Sequence, residues 1–381
     1  MKQYDVIIIG AGAAGLSAGA QAIQNGKSVL ILDMGNTPAR KVMASGGGRC
    51  NITNTAAGRD RYFGQNPDFV RGALSRVSPH NILEWAKSHK LKLSQKEPGR
   101  YFCDDGAGAV VDALMRDAHG ADIKYNSPVQ SVEKKDGSFW VNGCCAPALI
   151  VASGGTSFGT LGVSDIGYKI AKSFGHKIIP VRPGLCALAI TGANADLAGI
   201  TLDAEIKIGK KKVCDSMLFT HFGIGGPAAY RASLHNIKDG IHINLCPNTD
   251  VLDLLRDAKQ TQGRKNLATI LGTVLPVRIA KWIAGADGRN IADLKDNDIK
   301  NIAERIQNIF ISGDKIKYHT LASAEVVCGG ISTDEISSKT MESKLCSGLF
   351  FVGEVIDIAG DLGGFNLQWA WASGRVAGDN V

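Results

Sequence analysis

The run Tyr4-Asp5-Val6-Ile7-Ile8-Ile9, followed at once by Gly10-Ala11-Gly12-Ala13-Ala14-Gly15, constrains this chain more than any other stretch. Glycines at GxGxxG spacing arise by chance in a glycine-rich chain, and 46 of these 381 residues are glycine. Context gives the motif its weight. The preceding apolar residues do not alternate with polar ones, as expected of a strand buried on both faces. Residues 16–25 read as a helix of small side chains, and a second apolar run, residues 28–32, ends in Asp33. Strand, glycine turn, helix, strand and acid in that order form a dinucleotide-binding βαβ unit. Gly10 permits the tight turn, and Gly12 lets backbone N–H groups approach a pyrophosphate. Gly15 brings helix against sheet, and Asp33 can accept hydrogen bonds from a ribose diol. Ala13, Ala14 and Met34 border the same path. A plain βαβ unit with no nucleotide is the alternative.

The far end of the chain selects the dinucleotide. Residues 349–352 are a buried-type strand ending in Gly353-Glu354, followed by Asp357, by Gly363-Gly364-Phe365-Asn366, and by a helix over 367–377 that includes Gln368. NAD enzymes do not usually need distant terminal segments to complete the nucleotide site. FAD bound in an extended form is long enough to require them. A glycine pair opening a helix leaves N–H groups and a positive dipole end free to face the flavin N1/C2 carbonyl edge, where charge develops on reduction.

Between these ends, Arg40-Lys41 follow the second strand, where a loop would run along the adenosine and pyrophosphate. Residues 45–54 (Ser45-Gly46-Gly47-Gly48-Arg49-Cys50-Asn51, then Ile52-Thr53-Asn54) read as a polar loop without hydrophobic periodicity. So much glycine suits backbone laid against something flat or anionic. Arg49 and Asn51 are its positioning groups. Cys50 is a weak catalytic candidate, a small buried thiol being the simpler reading.

These segments, with Leu218-Phe219-Thr220-His221-Phe222-Gly223-Ile224-Gly225-Gly226-Pro227-Ala228 and the Gly363-to-Trp371 stretch, resemble the BaiN/YhiN-like flavoproteins, also described as aminoacetone-oxidase-family FAD-binding enzymes. The resemblance spans nearly the whole chain, and more distantly the layout resembles the fumarate reductase flavoproteins. It implies an α/β fold: a Rossmann-like FAD-binding domain with a glutathione-reductase-like sheet, interrupted by a β-barrel-like domain that carries a helical subdomain. On this chain that gives residues 1–185 and 319–381 for the FAD-binding domain, 186–248 and 309–318 for the inserted β domain, and 249–308 for the helical subdomain. By the same resemblance, Val129 offers a backbone amide to adenine, at the start of a hairpin pairing 127–132 with 139–142. Ala152, Ser153 and Gly154 cross beneath the dinucleotide.

Texture agrees with an insertion. From about residue 185 short strands alternate with turns, and residues 248–309 become helical in spacing. The second glycine stretch, 223–228, has no acid at the required offset and contains Pro227, which starts a helix more simply than it binds a nucleotide. A second nicotinamide domain is not expected. His221 is the weak acid/base candidate in that turn, against a structural histidine that caps it.

Composition excludes several classes. With 44% hydrophobic residues the chain can bury a large core. Nine cysteines show no CxxC pair and no metal spacing, which argues for reduced thiols in a cytoplasmic compartment and against a bound metal. No apolar run reaches the length of a membrane span, and Asp5 with the fingerprint glycines argues against a signal peptide over residues 1–20. The net charge of +7 is dispersed, and Lys210-Lys211-Lys212 reads as a solvated turn. The expectation is therefore an FAD oxidoreductase without a specific nucleic-acid partner. Its substrate is a small molecule lying between flavin and insertion that exchanges hydride with flavin N5; the leading reading is a reductase of an activated C=C or similar bond, driven by NADH or NADPH visiting the flavin transiently. A small-amine oxidase and an RNA-binding flavoprotein are the alternatives.

Overall fold

The apolar runs at both ends of the chain become neighbouring strands. In the computed structural model, which describes residues 2–285 and 288–381, five parallel strands lie in the order Leu349–Phe351, Ala148–Val151, Val6–Ile9, Val29–Leu32, Asp122–Lys124. The first four are buried throughout, which explains why they read as continuous apolar runs rather than alternating ones. The order reverses beside Val6–Ile9. The chain steps one way to Val29–Leu32 and later returns on the other side with Ala148–Val151, the layout of a Rossmann-type sheet.

Two helices close over this sheet. The opening helix, Ala13–Gln24, packs along the closing helix, Phe365–Gly378, and glycines permit the approach. An added Cβ at Gly374 would run into the Ala14 carbonyl oxygen, and one at Gly378 into that of Ala18. The closing helix is otherwise pinned by its side chains. Trp369 donates to the Gly353 carbonyl (3.0 Å) and Trp371 to that of Ile52 (2.9 Å). Ile52 and Trp371, 319 positions apart in sequence, thus share one core.

The chain divides into two compact units, Met1–Pro183 with Leu321–Val381, and Gly184–Thr320. The second unit contains a seven-stranded sheet whose middle strands are Ile241–Asn244, Thr201–Ile208, Lys211–Thr220, Gly223–Gly225 and Leu188–Ile190. Its ladder ends at Ile309–Ile311 and Ile316–Tyr318, which do not pair with each other among the described residues, so the barrel expected from the resemblance is not confirmed. Four helices, Val251–Thr261, Leu267–Leu271, Val277–Ala284 and Asp296–Gln307, share a core with this sheet.

Two local expectations fail. Residues 127–132 form no strand; the hairpin pairs Glu133–Lys135 with Ser138–Val141 around Asp136 and Gly137, both at positive φ. Residues 51–54 are not loop either. They form a strand, Asn51–Asn54, paired with Arg100–Cys103, whose polar side chains hid it from a hydrophobicity reading.

Candidate active site

Sheet order dictates where a ligand can bind. In an open parallel sheet the crevice opens at the carboxyl ends of the strands where the order reverses. Here those ends carry Gly10, Ala152-Ser153-Gly154 and Gly353-Glu354, so three segments from opposite parts of the chain converge.

The three fingerprint glycines have different physical reasons. Gly10 sits at φ +108°, and a Cβ there would strike the Ala152 carbonyl. A Cβ on Gly15 would strike the Gly10 carbonyl and approach the Ala152 Cβ at 3.2 Å. Both are required for packing. Gly12 meets nothing within 4 Å, and as N-cap of the opening helix it provides no capping side chain. Open space beside an uncapped helix N-terminus is what a pyrophosphate needs.

Asp33 braces this turn. Its carboxylate accepts from the Ala11 amide (2.7 Å) and the Gly35 amide (2.7 Å), with the Arg40 guanidinium 3.5 Å away. A carboxylate has about four acceptor sites, so a ribose hydroxyl can still be received. Arg40 also donates to the Leu161 carbonyl, while neighbouring Met34 is exposed.

Lys41 and Glu354, both singled out by sequence, pair with each other and with Ser157, a contact that no sequence signal marks. The Lys41 ammonium contacts the Glu354 carboxylate at 2.7 Å and the Ser157 hydroxyl at 2.8 Å. Glu354 also accepts from Ser157 (2.9 Å), from the Val327 amide (3.0 Å) and from the Gly155 amide (3.3 Å). Burial alone would push the Glu354 carboxyl up. The Lys41 charge and hydrogen bond, with those from Val327 and Ser157, outweigh it, so its pKa lies below the usual carboxylate range. This ion pair joins the fingerprint side of the crevice to the loop after Ala148–Val151 and to the terminal glycine-acid step.

The glycine-rich segment makes a left-handed bend: Gly46, Gly47 and Gly48 all have positive φ, as does Cys50. Gly47 and Gly48 face open space. Arg49 is exposed, 5.5 Å over the Phe102 ring, and Ser45 donates to the Val42 carbonyl. Cys50 is fully buried, and burial pushes its thiol up to about 12, so it stays a neutral packing group. With its amide turned so that the nitrogen faces the Tyr101 carbonyl (3.3 Å), Asn51 accepts from the Gly364 amide at 3.1 Å. The adjacent Asn54 donates to the Gly363 carbonyl (2.8 Å), so this strand lies directly against the terminal glycine turn.

Several terminal candidates are committed inside the protein. Gln368 is fully buried, accepts from Thr53 (2.6 Å) and donates to the Val77 carbonyl (2.7 Å). Asn366 is tied to both backbone groups of Gly360. Asp357 accepts from the Gln65 amide (2.9 Å), and burial raises its pKa. Phe365 packs edge-on to Tyr62. These four side chains build the turn. The backbone of Gly363 and Gly364, at φ +114° and +94°, is what they position. Val129 is half-buried in irregular chain, and His221 is exposed at the turn before Gly223–Gly225 in the second unit. Among the described residues no group of side chains could hold a metal ion, and no helix is long and apolar enough to cross a membrane.

The crevice, its open glycine and its converging chain ends suit an extended dinucleotide and define a Rossmann-type flavoprotein. Residues 4–380 match the model described as HI0933-like protein Rossmann domain, and the chain belongs to that family of FAD-dependent enzymes, the BaiN/YhiN-like flavoproteins. It is 38% identical to a Haemophilus influenzae "Ribosomal RNA dihydrouridine synthase", over 98% of this chain and 97% of that one. It is 35% identical to an Escherichia coli protein of the same name, over 98% and 96%. It is also 28% identical to the Clostridium scindens "3-dehydro-bile acid delta(4,6)-reductase", over 97% of each. A solved flavocytochrome c3 fumarate reductase matches 100% of this chain and 78% of its own at 16% identity, with a TM-score of 0.49 that supports no further argument. The first two names overturn the expectation that nucleic acid has no place among the partners, because those relatives are named for work on ribosomal RNA.

Proposed function

We propose that this FAD enzyme reduces the C5=C6 bond of a uridine in ribosomal RNA, with NADH or NADPH as the hydride source. The observation that carries this reading is 35–38% identity over nearly the full length of two proteins named for forming dihydrouridine in ribosomal RNA. The reaction balances: reduced nicotinamide and one proton are consumed, and oxidised nicotinamide and 5,6-dihydrouridine are formed. Bound FAD supplies the two-electron hydride chemistry.

The protein's own residues bind and orient. The opening-helix amides beside Gly12 receive the pyrophosphate, and Asp33 the ribose. Lys41 and Glu354 hold three chain segments in register, and the helix N-terminus that the Gly363-Gly364 turn opens would offer its positive end to the flavin pyrimidine edge. All nine cysteines are free, which fits the reducing cytoplasm where such an RNA is found.

A second reading takes its support from the bile-acid relative: reduction of a small molecule's C=C bond conjugated to a carbonyl. One experiment separates them. The holoenzyme is incubated anaerobically with NADH or NADPH and unmodified ribosomal RNA, and the digested nucleosides are analysed by mass spectrometry. A uridine gaining two hydrogens is the expected result. Coenzyme oxidation with a steroid enone but never with RNA would select the second reading. Peroxide release from an amine without nicotinamide would refute both.

A further inference from the structure

In the second unit, Phe222 is 40% exposed although it is a large apolar side chain. Its ring is stacked on His319, with centroids 4.6 Å apart and planes 21° from parallel. The backbone beneath it is fixed: the Phe222 carbonyl accepts from the Ile190 amide at 2.8 Å. Next to it, Gly223 lies so close to the Leu188 carbonyl that no Cβ would fit. The ring is therefore presented from a rigid edge with one face supported.

Its surroundings are basic. In the strand Ile316–Tyr318, Lys317 lies on the face opposite buried Ile316; His319 follows the strand directly, and Lys315 ends the 3-10 turn just before it. Both lysines are exposed. Segments 187–193, 217–225 and 315–319 meet here through the ladder and contain no acidic residue; Asp314 adjoins Lys315, so Lys317 carries the less compensated charge. A supported aromatic face with flanking ammonium groups matches single-stranded nucleic acid, whose bases stack while phosphates pair with lysine. Another exposed aromatic in this unit, Phe310, makes a useful contrast. It meets His242 at a 43° tilt and offers no comparable stacked platform.

We propose that the Phe222–His319 stack with Lys315 and Lys317 is an RNA-docking surface, Phe222 stacking an unpaired base and the lysines contacting adjacent phosphates. This rests on the RNA reading given above. The test uses the FAD-loaded full chain and a fluorescent ribosomal RNA fragment, with binding followed by anisotropy at physiological salt. Phe222→Ala weakens binding about tenfold, within the range of losing one stacked base. Phe310→Ala leaves it unchanged. Lys315→Gln and Lys317→Gln each flatten the dependence of log affinity on log salt by about 0.7. Phe222→Trp retains affinity, and its added fluorescence is quenched by RNA.

Wild-type binding by Phe222→Ala, an equal loss in Phe310→Ala, or unquenched Phe222→Trp overturns the surface. If dihydrouridine still forms in wild type, the function stands while the surface falls. Wild-type protein that neither retains nor modifies RNA removes both.

Discussion

Two glycine stretches in this chain look alike in sequence and do different work. Gly10-to-Gly15 follows a parallel strand, and Gly223-to-Gly226 is itself largely an antiparallel strand. Each leads into a helix, one of 12 residues and one of 7. The difference lies in what a side chain would meet. At Gly223 a Cβ strikes backbone, and at Gly226 it comes within 3.1 Å of backbone atoms, so these glycines serve chain packing. In the first stretch Gly10 and Gly15 serve packing too, while Gly12 faces empty space at a helix N-terminus. What sets Gly12 apart from these packing glycines is open space at a helix N-terminus, as the proposed pyrophosphate path requires.

The largest effect should come from Gly15→Ala. The new methyl collides with the Gly10 carbonyl, and we expect a loss of about 3 kcal/mol or colourless, poorly folded protein. Denaturant melts with flavin absorbance measure it; a stable yellow variant would break the comparison. Gly223→Ala should cost about 2 kcal/mol through the same kind of clash. Flavin bound per folded molecule should not change, because Gly223 lies in the other unit.

Lys41→Met leaves Glu354 without its charge partner. The side chains are 31% and 17% exposed, so we expect about 2 kcal/mol, less than the roughly 3–5 kcal/mol for a fully buried pair broken on one side. Its pH dependence has a definite sign. The folded Glu354 pKa is lowered, so the pair's stabilisation is complete above the unfolded carboxyl value of 4.5 and disappears as pH falls through the folded value. The stability gap between wild type and Glu354→Gln should therefore be widest near neutrality and close in acid. A gap independent of pH would mean that the two groups are not coupled. The smallest stability change belongs to Gly12→Ala, within about 0.5 kcal/mol, because nothing is displaced. Flavin affinity should nevertheless fall at least tenfold, measured by fluorescence titration of apoprotein. Unchanged affinity would remove Gly12 from the cofactor path.

The buried strands were legible because a parallel strand covered on both faces has no polar positions to confuse the pattern. The glycine turns were legible because few other residues occupy positive φ. Side-chain roles were harder. Gln368 and Asn366 stand among glycines beside a cofactor motif, yet each is spent on protein backbone or a neighbouring hydroxyl. Nothing in composition separates a polar group facing a ligand from one facing Val77. Lys41 and Glu354 lie 313 positions apart, and a pairing of that reach leaves no local trace. Strand Asn51–Asn54 escaped because its side chains bond to other segments instead of forming an apolar face.

The packing of Phe365–Gly378 along Ala13–Gln24 has a consequence for biosynthesis. The first strand and helix leave the ribosome hundreds of residues before the partner that covers them. Until translation reaches Gly378, the nascent chain holds half a cradle with its apolar side bare. With the flavin site proposed above, pigment capture waits for the closing segment, so vitamin shortage would act on a finished polypeptide, not on one still being made.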